Sequence, residues 1–142
     1  MSVTDIMTRH VVTVNMDDSL SKVQKIFDES KFHHLIVVEE GVVVGVLSDR
    51  DLLKNISPFV GKMAERTQDV ALLQRKVHQI MTRHPIVVLE TAAMADAAMA
   101  MLNHRVSCVP VVDASNHCVG IVTIRDMLKW CVRPMDQADK AA

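Results

Sequence analysis

Hydrophobic and polar positions along this chain follow one pattern that is written twice. In the first copy, the short apolar run Val11–Val14 precedes a segment in which apolar residues recur every three or four positions, as in an amphipathic helix. Two β-branched runs, Leu35–Val38 and Val42–Leu47, then flank Glu39-Glu40-Gly41, which predicts a β-hairpin. A short helical pattern, Leu52-Leu53-Lys54, closes the unit. The predicted order is therefore β-α-β-β-α.

The second half of the chain repeats this order. The block Ile-Met-Thr-Arg-His is identical at residues 6–10 and 80–84, and the second copy begins its first strand at Ile86–Leu89. Thr91 is a helix-start signal there, as Asp17-Asp18-Ser19 is in the first copy. The second hairpin joins Val109–Val112 to Val119–Val122. An internal duplication therefore accounts for most of the chain.

The size of the repeat indicates how the two copies fold. A unit of about fifty residues buries too little surface to be stable alone. Two copies with matching sheet faces can pack around a pseudo-two-fold axis, so we expect an α+β fold of two tandem β-α-β-β-α repeats. We place the first repeat at 1–55, a helical linker at 56–76, the second repeat at 77–134 and a polar tail at 135–142.

Both copies end in the same turn, where a strand gives way to a helix. The turn runs from Gly45 to Asp51 in the first copy and from Gly120 to Asp126 in the second. Ser48-x-x-Asp51 and Thr123-x-x-Asp126 each have the spacing of a capping box, in which hydroxyl and carboxylate satisfy free helix N–H groups. The same N–H groups attract anions. Helix capping and ligand binding both stay open, although a cap needs neither the repeated Gly nor the repeated Arg.

Composition narrows the class of protein. Hydrophobic residues make up 49% of the chain, enough for a real core, with ten Met and no Tyr among them. A net charge of −1 argues against nucleic-acid binding through a broad basic surface. The three cysteines lack metal spacing and suit a reducing compartment. With no membrane-length apolar run and no signal-peptide pattern, we expect a cytoplasmic protein.

The lead-in and the closing turn together resemble a known family. A Met-Thr pair before the first strand and Gly-x-x-[Ser/Thr]-x-x-Asp after the last resemble the CBS domain, and two such units in tandem resemble a CBS pair, or Bateman module. The resemblance covers Val3 to Val132. It implies a regulatory module without a covalent cofactor that binds an adenosine ligand: AMP, ADP, ATP, NAD or S-adenosylmethionine. It also implies a homodimer, here through the helix Met94–Leu102, and a regulated partner protein that the sequence does not name.

The resemblance assigns roles to residues at matching positions. Asp51 and Asp126 would accept hydrogen bonds from the two ribose hydroxyls, as acidic residues do in dinucleotide-binding folds. Ser48 and Thr123 would bind the sugar or the first phosphate beside the helix N-terminus. The residues by position around the adenine are Val12, Thr13, Leu35 and Ile36 in the first repeat, and Ile86, Val87, Val109 and Pro110 in the second.

The two repeats differ where the phosphates would lie. The first has His33 and His34 before its middle strand, whereas the second has Ser107 and Cys108. We therefore predict that the first site tolerates a more anionic ligand, although Asp49 adds a negative charge there. Two further cations, Arg50 and Arg125, suit phosphate binding, and exposed surface positions suit them equally well.

Three other functions are alternatives to nucleotide binding. A metal sensor could gather His10, His33 and His34 with Asp51, but the chain has no metal-type His or Cys spacing. An enzyme would need a nucleophile with its base, or a glycine-rich phosphate loop, and the sequence contains neither, so no catalytic or metal-binding residue is predicted. A protein-interaction module that keeps the fold without a nucleotide is the strongest alternative.

Overall fold

The computed structural model describes residues 1–56 and 67–141, and they divide into two compact units. We call Val12–Pro85 the Asp51 unit, and Met1–Val11 together with Ile86–Ala142 the Asp126 unit. The sequence repeats are thus exchanged at their starts, because the lead-in of each repeat packs in the unit that holds the other repeat's closing turn. The predicted linker residues Ser57 and Pro58 lie outside the described residues.

The described residues of the Asp51 unit form a four-stranded sheet and three α-helices. The elements are β1 (Thr13–Asn15), α1 (Leu20–Glu29), β2 (His34–Glu39), β3 (Val42–Ser48), α2 (Asp49–Leu53), α3 (Thr67–Leu72) and β4 (Thr82–Arg83). The sheet order is β1-β2-β3-β4, in which β1 is parallel to β2 and the other pairs are antiparallel. Glu40 and Gly41 have positive φ angles of 51° and 81°, as a two-residue hairpin turn requires.

The Asp126 unit repeats this arrangement with a smaller sheet. Its elements are β5 (Val88–Leu89), α4 (Met94–His104), β6 (Cys108–Val112), β7 (Cys118–Thr123) and α5 (Ile124–Ala141). The three strands lie in the order β5-β6-β7. Thr8 forms an isolated antiparallel bridge to Ile121 of β7, at the edge that β4 occupies in the Asp51 unit. Both units therefore receive the edge of their sheet from the other repeat's lead-in. The α+β class and the tandem repeat are confirmed.

The predicted helix faces form the cores. In α1, Leu20 and Val23 are fully buried, and Ile26 and Phe27 pack partly buried against the same cluster. In α4, Met94, Ala97 and Met101 are buried against the inner faces of β6 and β7. Each helix therefore buries one stripe against one face of its sheet, as its periodicity predicts.

Several helix and strand boundaries differ from the sequence prediction. The first strands begin later than expected, at Thr13 and Val88, because the residues before them run as irregular chain. The N-cap of α4 is Ala93 rather than Thr91, and its N–H is held by the Asp96 carboxylate at 3.3 Å. The backbone of α5 stays helical to Ala141, through Pro134 and into the predicted polar tail, where Ala, Gln and Lys are good helix formers.

The repeated glycine is explained by the repeated methionine of the lead-in. An ideal Cβ on Gly45 would lie 2.6 Å from Met81 Sδ and 3.1 Å from the Thr82 carbonyl oxygen. The same atom on Gly120 would lie 2.6 Å from Met7 Sδ. Each lead-in therefore crosses its strand at the one residue without a side chain. The glycine and the Met-Thr pair form a single structural device in each unit.

Candidate functional site

The closing turn of the Asp51 unit is a complete capping box. The Ser48 hydroxyl accepts a hydrogen bond from the Asp51 N–H at 3.1 Å, and Asp51 Oδ2 accepts one from the Ser48 N–H at 2.8 Å. Asp51 is half-buried, and the exposed Arg50 lies beside it. The capping interpretation is thus confirmed. It does not remove the ligand-binding interpretation, because a carboxylate has about four acceptor positions and this cap uses one.

The corresponding turn of the Asp126 unit is more heavily bonded. Thr123 donates from its N–H at 3.0 Å and from its hydroxyl at 3.1 Å to Asp126 Oδ2. In the reverse direction, the Asp126 N–H donates to the Thr123 hydroxyl at 3.2 Å. The hydroxyl of Thr8 also donates to the two carboxylate oxygens, at 3.3 and 3.4 Å. Asp126 is 8% exposed, whereas Arg125 beside it is exposed.

The start of each hairpin's first strand lies beside the turn, which brings the candidate phosphate-binding residues to it. The N–H of Asp49, at the start of α2, donates to the His33 carbonyl at 3.0 Å. In the Asp126 unit, the Ile124 N–H donates to the Ser107 carbonyl at the same distance. His33, His34 and Ser107 are therefore next to the helix N-termini, where an anion is favoured.

A histidine and a carboxylate of the Asp51 unit are in contact beside this turn. His33 Nδ1 lies 2.9 Å from Asp49 Oδ2, with both side chains well exposed. Burial lowers the pKa of His34 below its ordinary value of 6.5, and the nearby Asp49 and Asp51 only partly offset that effect. At neutral pH His34 is therefore neutral. The expected preference for a more anionic ligand rests on His33, whose partner is a carboxylate.

A cavity of about 260 Å³ opens beside the Thr8–Asp126 contact. Its walls include Asp5, Thr8, Asp126, Lys129, Trp130 and Arg133. Lys129 and Arg133 lie one and two turns beyond Asp126 on α5, so two cations and two carboxylates line the cavity. Sequence reasoning assigned no role to Thr8, Lys129 or Arg133. The identical Ile-Met-Thr-Arg-His blocks were the available signal for Thr8.

The candidates around the adenine fall into three groups. Leu35 and Val109 are fully buried members of the two cores, so their side chains pack rather than face a ligand. Ile36 and Pro110 alternate with them and therefore point to the other face of their strands. Exposed or half-buried positions are held by the remaining candidates, Val12, Thr13, Ile86 and Val87. In the parallel β1–β2 pair Thr13 lies opposite Ile36, which places two candidates on adjacent strands.

All the candidates of one site lie in one unit. Those from Val12 to Asp51 belong to the Asp51 unit, and those from Ile86 to Asp126 to the Asp126 unit. Within the described residues, no three His, Cys, Asp or Glu side chains form a group suited to a metal ion. No disulfide joins the three cysteines Cys108, Cys118 and Cys131, all of which lie in the described part of the chain, and burial raises the pKa of Cys118. None of the described helices is long and apolar enough to span a membrane.

The fold and the two turns together define a class of protein. It is a tandem pair of small α+β units, and each unit contains a strand-to-helix turn in which a carboxylate caps the helix. The chain belongs to the CBS domain family: the model of the CBS domain matches residues 3–58 and again 77–133. The resemblance drawn from the two motifs is thereby confirmed.

Curated relatives include both short and long proteins. A CBS domain-containing protein of Dictyostelium discoideum is 29% identical over 136 residues, which are 94% of this chain and 93% of the relative. An uncharacterized protein of Methanocaldococcus jannaschii is 35% identical over 132 residues, but the chain spans only 31% of its length. Inosine-5'-monophosphate dehydrogenase of the same organism is 28% identical, and the chain spans 25% of it. The matching segment thus occurs both nearly alone and as part of a long enzyme.

Two similar solved structures contain adenosine compounds. The CBS domain pair of protein MJ0100, in complex with 5'-methylthioadenosine and S-adenosyl-L-methionine, has a TM-score of 0.75 and 27% identity, with 92% of this chain and 94% of that chain covered. CBSX2 in complex with AMP has a TM-score of 0.76 and 26% identity, with 94% and 98% covered. CBSX2 is a protein of Arabidopsis thaliana. Adenosine is the part that the three ligands share.

Proposed function

We propose that this protein is a regulatory module that binds an adenosine ligand non-covalently and acts by binding rather than by catalysis. The observation that carries the proposal is the duplicated turn, in which a carboxylate stands at a helix N-terminus beside a hydroxyl. The carboxylate can accept both vicinal ribose hydroxyls, and the helix N–H groups favour a phosphate or another anion next to the sugar. Related pairs that hold AMP, 5'-methylthioadenosine and S-adenosylmethionine support this ligand class.

The same proposal gives roles to the polar candidates and to four of the residues around the adenine. Asp51 and Asp126 bind ribose; Ser48 and Thr123 bind the sugar or the first phosphate; and His33, His34, Ser107, Arg50 and Arg125 border the position of a phosphate chain. The backbone edges around Thr13, Ile36, Val87 and Pro110 would enclose the base. Lys129 and Arg133 add positive charge beside Asp126.

Regulation would follow from unequal affinity for two conformations. A ligand that binds one conformation more tightly shifts the equilibrium towards it by that difference in free energy. A partner protein that contacts the two conformations differently would sense the shift. The long relatives, in which a similar segment occurs beside an enzyme, support a regulatory role of this kind. Nucleic acid and membrane are not among the proposed partners.

The first test is calorimetric titration of the chain with AMP, ADP, ATP, NAD, S-adenosylmethionine and 5'-methylthioadenosine. We expect saturable binding of at least one, with much weaker binding of its 2'-deoxy form because one ribose hydroxyl is lost. A ligand present at about a hundred times its Kd should also stabilise the fold by about 2.7 kcal/mol. Replacing both Asp51 and Asp126 with Ala should weaken binding at both turns roughly ten- to a hundredfold, because each turn loses hydrogen bonds to a charged group.

Asp96→Ala is the matched control, because Asp96 holds an N–H at the start of α4 as the site carboxylates do, but lies outside both turns. Asp96→Ala should remove a similar helix cap, and so lower stability, but it should leave ligand binding intact. If no ribonucleoside binds to a cooperatively folded chain, or if the double variant binds as well as the parent, the proposal is wrong. The protein-interaction module would then be the better interpretation.

A homodimer through α4 is part of the proposal. Met99 and Leu102 of this helix are 52% and 72% exposed, three positions apart and so on one face. Burial of that face against a second copy would remove two large apolar side chains from water.

A further inference from the structure

The two turns differ in the number of acceptor positions that their carboxylates have left for a ligand. Asp126 accepts from the N–H of Thr123, from the hydroxyl of Thr123 and from the hydroxyl of Thr8. Asp51 accepts from the N–H of Ser48, and the structure shows no further donor to it among the described residues. Since a carboxylate has about four acceptor positions, Asp51 keeps about three and Asp126 about one.

Thr8 is the residue responsible for much of this difference. Its counterpart in the Asp51 unit is Thr82, which precedes the same Arg-His pair and lies on the same edge of its sheet. Thr8 is half-buried and bonded to the carboxylate, whereas Thr82 is exposed and, in the described part of the chain, makes no bond to Asp51. Equal sequence at the two lead-ins thus gives unequal contacts at the two turns.

The hydroxyl groups of Ser48 and Thr123 also differ in how many of their hydrogen-bonding positions are left for a ligand. The Thr123 hydroxyl donates its proton to Asp126 Oδ2 at 3.1 Å. The Ser48 hydroxyl accepts from the Asp51 N–H at 3.1 Å, and no acceptor for its own proton is found among the described residues. At Asp51, therefore, both the carboxylate and a hydroxyl proton are free to bind a sugar or a phosphate.

We infer that the two turns are unequal ribose sites: Asp51 is the high-affinity site, and Thr8 sets the lower affinity of Asp126. The two vicinal hydroxyls of a ribose fit the free positions of Asp51 as they stand. At Asp126 the same two hydroxyls need the position that Thr8 occupies, so Thr8 must be displaced first. This inference rests on the proposed function and adds an order of filling to it.

The test is calorimetric titration of the full chain with AMP and with 5'-methylthioadenosine, which carry the same ribose with and without a phosphate. We expect two phases in the parent. Asp51→Ala should weaken the tighter phase roughly ten- to a hundredfold, which corresponds to a lost hydrogen bond to a charged group. Asp126→Ala should remove the weaker phase and leave the tighter one unchanged.

Two matched substitutions then test Thr8. Thr8→Val removes the competing hydroxyl at nearly constant shape and should tighten the weaker phase severalfold, whereas Thr82→Val should change neither phase. Thr8→Ser keeps the hydroxyl and should behave as the parent. Each variant is first checked for a cooperative thermal transition, and Thr8→Ala replaces Thr8→Val if the latter does not fold.

The outcomes separate the two proposals. Three outcomes would overturn the order of filling and leave ribonucleoside binding itself intact. They are equal affinities of the two phases in the parent, loss of the tighter phase in Asp126→Ala, and weaker binding in Thr8→Val. Absence of binding to the parent by any ribonucleoside would overturn both.

Discussion

At the scale of single residues, the close approach of Met81 to Gly45 leaves no room for a methyl group unless the side chain of Met81 shifts. We expect Gly45→Ala to lower the free energy of unfolding by about 1 to 3 kcal/mol, because its Cβ would meet Met81 Sδ at 2.6 Å. The entropic gain of Ala over Gly, about 0.4 to 1 kcal/mol, is too small to reverse the sign. Urea unfolding measures the difference. In a Met81→Ala background the same substitution should cost less, and an equal cost in both backgrounds would show that the sulfur contact is not the cause.

His34 makes stability depend on pH. Burial lowers the pKa of His34, so the folded protein holds it neutral while the unfolded chain protonates it near its ordinary 6.5. Its contribution is complete above that pH and is lost as the pH falls towards the lower folded-state pKa. The free energy of unfolding should therefore decrease between about pH 7.5 and about pH 5.

The measurement is urea unfolding at several pH values for the parent and for His34→Gln. The variant should lose part of the decrease, whereas His10→Gln, at an exposed histidine, should retain all of it. A parent whose stability is flat across this window would contradict the effect of burial on His34. The carboxyl groups of Asp18 and Asp113 do not contribute to this decrease, because their pKa values in the folded protein are lowered from the ordinary 3.8 and lie outside the pH window.

At the scale of elements, the turn before α2 serves two purposes that a substitution can separate. Ser48→Ala removes the hydroxyl that caps the Asp51 N–H, which should cost about 0.5 to 2 kcal/mol of stability. The carboxylate remains, so nucleoside binding should weaken less than in Asp51→Ala. Ser21→Ala, at an exposed position inside α1, should leave both stability and binding almost unchanged. Chemical denaturation and calorimetry of the three variants give the two quantities, and a Ser48 variant as stable as the parent would mean that this cap is dispensable.

The hydrophobic pattern of the sequence predicts the helices and strands well, because it indicates which residues are buried. It predicts contacts between distant segments of the chain less well. The stripes of α1 and α4 and the hairpins follow from alternation and periodicity. The exchange of the lead-ins cannot be predicted in this way. The two lead-ins are nearly identical in sequence, so either lead-in would suit either unit. The bond from Thr8 to Asp126 depends on that exchange across 118 positions, so no local pattern indicates it. The helical extent of α5 does not follow from the pattern either, because the polar composition of residues 135–142 indicates a tail, whereas the backbone stays helical to Ala141.

At the scale of the whole molecule, the proposed assembly is tested by a charge on the α4 face. Leu102 is the most exposed large hydrophobic residue in the described chain, at 72%, and it lies on one face with Met99. Leu102→Glu would place a carboxylate in a desolvated dimer contact, and a buried unpaired charge is expensive. We expect the variant to sediment as a monomer at concentrations where the parent is dimeric.

Asn103→Glu is the control for that experiment, since it adds the same charge to the same helix one residue further on, at a position that is already polar and exposed. It should remain dimeric. If both variants dimerise as the parent does, the contact lies elsewhere, and the exposed stripe Ile124, Leu128 and Val132 of α5 is the next surface to charge. If the parent is a monomer at every accessible concentration, the homodimer is wrong, and regulation must then act within a single chain and its partner. Sedimentation with and without the bound nucleoside also tests whether assembly is coupled to the ligand: a ligand that binds the dimer more tightly than the monomer must raise the dimer fraction.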